Sequence, residues 1–150
     1  MINAITFYRI ANWFYRYKIP VIPQLIKLMI FFLYNCSIPY QAKIGKGSFL
    51  TYGGIGVIIH KRAVIGVNAE IGSGVTIGGR SGLYDVPVIG DNVYIATGAK
   101  VLGNIKVGDN AVIGANAVVI KDVPEGAVVG GIPAKILTSK KHQDDQRLSD

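Results

Sequence analysis

An aliphatic residue recurs at every sixth position through the middle of the chain. The series Ile59, Ile65, Ile71, Ile77, Leu83, Ile89, Ile95, Val101, Val107, Ile113 and Val119 is unbroken. Ile, Leu and Val make up 46 of the 150 residues, so composition alone does not account for such a run. A second row, two residues earlier in each hexad, holds Val57, Ala63, Ala69, Val75, Val93, Ala99, Ile105, Ala111, Ala117 and Val123; only Ser81 and Pro87 interrupt it. Glycine follows the aliphatic residue at 66, 72, 78, 90, 108 and 114. Side chains two apart point the same way along a strand, and glycine turns a corner at little steric cost. Three hexads then close a triangular coil of about 18 residues, and stacked coils cover one another's open faces. Residues 57–124 make nearly four coils, and Ala42–Phe49 starts the stack earlier. From Leu50 to Ile59 the spacing is nine, so a three-residue loop containing Tyr52, Gly53 and Gly54 must bulge out.

The ends read differently. Residues 1–39 are expected to be helical, 40–137 to form the solenoid and 138–150 to be a polar tail. In the first segment Phe7, Ile10, Phe14 and Tyr17 recur at helical spacing, opposed by a polar stripe of Arg9, Asn12 and Arg16. Pro20 and Pro23 break that helix, and a second, nearly all-apolar run follows to Cys36. Val21–Leu33 is interrupted by Lys27 and is shorter than the about 20 residues a membrane span needs. It is expected to pack on the fold or another subunit, or to touch the inner face of the membrane through residues 1–35, with Arg9, Arg16, Lys18 and Lys27 helping. Sixteen Lys+Arg against nine Asp+Glu give a formal +7. No motif points to nucleic acid, and the excess suits an anionic ligand or surface. A single cysteine in an apolar stretch fits a reducing, cytoplasmic setting and a buried, inert thiol.

The segments AKIGKG at 42–47, VTIGGR at 75–80, IATGAKVLGNIKVGDNAVIGANAVV at 95–119, KDVP at 121–124 and GGIPAKIL at 130–137 resemble the hexapeptide-repeat acyltransferases, within them the serine acetyltransferase-like branch. The resemblance covers about 40–137. It implies a mainly β fold, a left-handed parallel β-helix with short N-terminal α-helices. It also implies a homotrimer and acetyl-CoA bound between neighbouring subunits, with no metal. In the family, residues matching Thr97 and Ala115 line the coenzyme site, and the region of Lys121 and Lys135 meets the coenzyme's adenine and phosphate end. The family's catalytic histidine stands where this chain has Tyr52, and a second histidine, in the loop after the Gly-Gly pair, is replaced by Asp85 and Val86.

A strict 18-residue coil stacks Gly78, Ala96 and Gly114 below His60, and Gly79, Thr97 and Ala115 below Lys61. Such a groove of small residues admits an extended ligand with amides, as a pantetheine arm is. His60 at its head is expected to be the general base that takes the acceptor's proton, with backbone donors near Gly78–Gly79 stabilising the oxyanion. Tyr52 is expected to orient the acceptor. The loop 79–88 is expected to fold over the groove, Arg80 reaching phosphate or acceptor and Asp85 orienting. A zinc site of three histidines is excluded within the solenoid, which holds only His60, and His142 lies in the tail. The expected activity is acetyl-CoA-dependent O-acetylation of a hydroxyl-bearing small molecule or glycan, foremost a sugar of a surface-polysaccharide precursor. Free serine is the alternative acceptor, and a non-catalytic binding solenoid is the alternative of another class.

Overall fold

A computed structural model describes residues 2–138. Of the expected tail only Thr138 is described, as the end of a strand, and His142 lies outside the described residues. Two helices, α1 (Ala4–Arg16) and α2 (Ile22–Tyr34), precede stacked parallel coils. The Asn3 side chain caps α1 by accepting from the Ile5 N–H at 3.2 Å. Pro23 sits in the first turn of α2, where its missing N–H costs nothing, and Asn35 ends that helix in the left-handed region at φ 48°.

The α1 face that meets the solenoid is not the aromatic stripe. Ala4, Ile5, Tyr8 and Ala11 are buried, whereas Ile10 and Tyr17 are exposed. Arg9 and Asn12 of the polar stripe turn inward with them, while Arg16 stays exposed. Tyr8 Oη donates to the Ala42 carbonyl, Arg9 to Gly45 at 3.0 Å, and Asn12 to Tyr40 at 2.8 Å. Backbone carbonyls of the first coil have no coil above them, and buried carbonyls need donors. The helix supplies those donors from its side chains. Cys36 is buried, and desolvation pushes its thiol up to about 11.

The solenoid has three faces. The first stacks Lys43–Ile44, Val64–Ile65, Val88–Ile89 and Lys106–Val107. The second stacks Phe49–Leu50, Glu70–Ile71, Tyr94–Ile95, Val112–Ile113 and Val128–Gly131. The third stacks Ile58–Ile59, Thr76–Gly78, Lys100–Leu102 and Val118–Val119. All these pairings are parallel; Ala134–Thr138 then returns antiparallel beside Val128–Gly131. Ten members of the aliphatic series are buried, and with the alternate alanines and valines they form the core.

Leu83 is the exception, 49% exposed. Ile59 pairs with Ile77 after 18 residues, but Val64 pairs with Val88, Glu70 with Tyr94 and Ile77 with Val101, each after 24. One complete hexad, residues 80–85, is therefore extruded. Pro87 takes the inward place beneath Ala63: it is buried, and its carbonyl accepts from the Val64 N–H as that of Ala63 accepts from Lys43. The three-residue excess after Leu50 falls where the spacing puts it, because Leu50 pairs with Ile71 after 21.

The extruded loop is pinned from the coil above. The Arg62 guanidinium lies 3.7 Å from the centroid of the Tyr84 ring and also donates to the Tyr84 carbonyl. Deleting residues 80–85 restores an 18-residue coil with Val86 following Gly79. The expected cost is the cation–π contact, about 0.5–1 kcal/mol, read as a fall of about 2–4 °C in the thermal midpoint. A fall on the order of 10 °C or more would place the loop among the elements that hold the solenoid together.

Candidate functional site

The coil register decides what stands above what at each corner. The corner after the first face carries Gly45, Gly66, Gly90 and Gly108, which stack backbone on backbone: a Cβ on Gly66 would lie 2.5 Å from the Gly90 carbonyl oxygen. The next residue at this corner is large or charged, being Lys46, Val67, Asp91 or Asp109. Two of these carboxylates stitch the stack, Asp91 accepting from the Val67 N–H at 2.8 Å and Asp109 from the Asp91 N–H at 2.7 Å.

The corner after the second face differs. The pairings of Leu50 with Ile71, Ile71 with Ile95, Ile95 with Ile113 and Ile113 with Val129 carry forward into one column of Thr51, Gly72, Ala96, Gly114 and Gly130. Beside it runs a second of Tyr52, Ser73, Thr97, Ala115 and Gly131. Gly72 is forced, since a Cβ there would meet the Thr97 nitrogen at 2.5 Å. The outer column is not forced, because Thr97 and Ala115 are exposed and open to solvent. Small residues in both columns through four successive coils make a shallow groove. Tyr52 stands at its head, 73% exposed and held at φ 51° within the turn Thr51–Gly54. At its foot Gly130 pairs with Lys135, and Lys135 shares a cavity of about 290 Å³ with Lys121.

His60 is therefore not at the head of this groove. It stands at the corner after the third face, where Gly78 does lie below it and Gly79 below Lys61, but the next coil brings Leu102 and Gly103 and the last Ile120 and Lys121. Ala96, Thr97, Gly114 and Ala115 belong to the other corner, because the extruded hexad shifts every later coil by six residues. Arg80 and Asp85 lie in that extruded loop, exposed, on the His60 corner; the Arg80 side chain rests against Gly103.

His60 lines a cavity of about 450 Å³ between the start of α2 and the third face, with Gln24, Lys27, Gln41, Lys61 and Gly78. Its Nδ1 accepts from the Arg62 N–H at 3.1 Å. Desolvation holds the imidazole below its ordinary pKa, with the charges of Arg62 and Lys61 adding to the effect. Protonating both nitrogens would also break the bond from Arg62, since imidazolium accepts nothing. The ring is thus neutral at pH 7 with its proton on Nε2, so it presents a donor. Base work at Nε2 would require the other tautomer and the loss of the Arg62 contact.

Sequence reasoning missed Gln24, Lys27 and Gln41 as neighbours of His60, and Ser73, Gly130 and Gly131 as members of the groove. The Gly130–Gly131 pair was visible, but only the strand register assigns it to this corner.

The description "Bacterial transferase hexapeptide (six repeats)" matches residues 87–121. A serine acetyltransferase of Synechococcus elongatus is 40% identical over 138 residues, covering 90% of this chain and 56% of that protein. One of Bacillus pumilus is 41% identical over 150 residues, covering 99% and 69%. Among solved structures, serine acetyltransferase of Brucella abortus in complex with coenzyme A superposes with a TM-score of 0.86 at 34% identity, over 91% of this chain and 55% of that one. The chain thus spans just over half the length of the Synechococcus and Brucella proteins.

Proposed function

This chain belongs to the serine acetyltransferase-like branch of the left-handed β-helix, hexapeptide-repeat acyltransferases, and from that membership we propose that it transfers the acetyl group of acetyl-CoA to a hydroxyl acceptor. The observation that carries the reading is the double column of small residues from Ser73 to Gly131. Exposed backbone along such a column meets the two amides of a pantetheine arm, and the Lys121–Lys135 cavity at its foot complements phosphate. The thioester then lies toward Tyr52.

The acceptor oxygen attacks the thioester carbonyl carbon. The tetrahedral intermediate collapses with loss of the coenzyme thiolate, and the acceptor's proton ends on the sulfur. The developing oxyanion needs a donor, and the neutral His60 offers Nε2–H for it. His60 and the groove occupy different corners of one chain. A homotrimer, which the family resemblance implies, would set the His60 corner and its extruded loop, with Arg80 and Asp85, against the groove of a neighbouring copy.

Free serine is the acceptor that the relatives' names favour. Tyr52, at the position of the family's histidine, favours a second reading, a sugar hydroxyl of a surface-polysaccharide precursor. Incubation with acetyl-CoA and a panel of serine and of nucleotide- or lipid-linked sugars, followed by mass spectrometry, separates them. A gain of one acetyl group on serine alone supports the first reading, and on a sugar alone the second. Absence of any acetylated product and of coenzyme release overturns both and leaves a non-catalytic solenoid.

A further inference from the structure

The charge of the chain is unevenly placed. No aspartate or glutamate precedes Glu70, while eight basic residues do. Residues 1–69 therefore carry a formal +8, and the eight basic and nine acidic residues that follow carry −1. Six of those eight, Arg9, Arg16, Lys18, Lys27, Lys43 and Lys46, lie in the helical cap and the first coil.

On that cap α2 is apolar on two sides. Pro23, Ile26, Ile30 and Tyr34 pack on the fold. Val21, Leu25, Leu28 and Phe32, spaced four, three and four, form a stripe on the opposite side, between 53% and 78% exposed. Arg16 and Lys18 line an elbow cavity of about 540 Å³ just before this stripe, while Lys27 turns toward the His60 cavity. A contiguous apolar patch of this kind marks a contact surface. At 13 residues α2 is about 20 Å long, and no helix among the described residues is long and apolar enough to cross a membrane.

We propose that this helical cap docks the protein on an anionic lipid surface, with the stripe from Val21 to Phe32 lying in the interface and the exposed Arg16 and Lys18 on lipid phosphates. An amphipathic helix binds such an interface by burying its apolar side while flanking cations meet the headgroups. The charge distribution selects lipid over a second copy of the same face. Two caps meeting through their stripes would oppose two all-basic surfaces with no carboxylate on either, whereas an anionic bilayer supplies the missing counter-charge.

The test is flotation of the full chain with vesicles of phosphatidylglycerol and phosphatidylcholine in equal amounts, against phosphatidylcholine alone. The protein is expected to float with the anionic vesicles, to stay behind with neutral ones, and to be released at 1 M salt, where the screening length falls to about 3 Å. The double variant Leu28→Ser, Phe32→Ser is expected to lower the bound fraction at least ten-fold with an unchanged light-scattering mass. Lys18→Glu, which touches neither the stripe nor the core, is expected to lower it as well, and serves if the double variant does not fold. No flotation with anionic vesicles overturns the proposal. So does a double variant that loses oligomer mass while binding vesicles as the parent does, because the stripe would then be a contact between copies.

Discussion

Replacing Ala115 with tryptophan is expected to weaken coenzyme A binding on the order of 100-fold, about 2.7 kcal/mol, with the unfolding midpoint unchanged. Ala115 is exposed and stands between Thr97 above and Gly131 below in the outer column of the groove. An indole there fills the track a pantetheine arm would follow, yet touches no part of the core. Isothermal titration with coenzyme A and a thermal melt make the two readings. The control is Asp109→Asn at the corner after the first face, which should leave affinity unaffected because that corner has no small outer column. Parent-like affinity in a folded Ala115→Trp protein would mean the coenzyme runs elsewhere.

The second large effect concerns His60. His60→Ala is expected to lower turnover by about 10²–10³-fold, the scale for removing one oxyanion donor, with little change in coenzyme affinity. His60→Gln is the informative partner, because its amide keeps an N–H near the position of Nε2 but has no lone pair with which to act as a base. Most of the activity should survive in it. If glutamine is as inactive as alanine, His60 works as the base, and its ring must leave the Arg62 amide to do so. The pH profile gives an independent reading. A donor keeps its Nε2–H in the imidazolium form, so a donor role leaves the rate level as His60 protonates below its ordinary value of 6.5, whereas a base role makes the rate fall there.

The two interruptions of the repeat show what the sequence could and could not reveal. The excess after Leu50 is three residues. It breaks the period of six, and so the sequence alone reveals both the excess and the loop that absorbs it. The excess after Gly79 is six residues. It preserves the period, so Leu83 sits in phase with the core series while its side chain lies half exposed outside the core. No count of hexads distinguishes a hexad wound into the coil from one extruded out of it. That single ambiguity moved Ala96, Thr97, Gly114 and Ala115 from the His60 corner to the Tyr52 corner. The N-terminal helices carry a similar lesson. Their existence followed from apolar spacing and prolines, but which face of α1 turns inward depended on the unpaired carbonyls of the first coil.

The solenoid, its alternating inward rows, its glycine corners and its helical cap were determined by the sequence itself, because each is a local periodicity whose burial repeats every coil. Vertical neighbours are not local. They depend on how many residues lie between two strands that pair, and only the backbone hydrogen bonds that join Ile77 to Val101 rather than to Ile95 decide it. The tertiary structure therefore chose which small residues share a groove and placed Tyr52 at its head. It also set His60 at another corner with its Nδ1 held by the Arg62 amide, because that bond forms only where the chain turns after the third face.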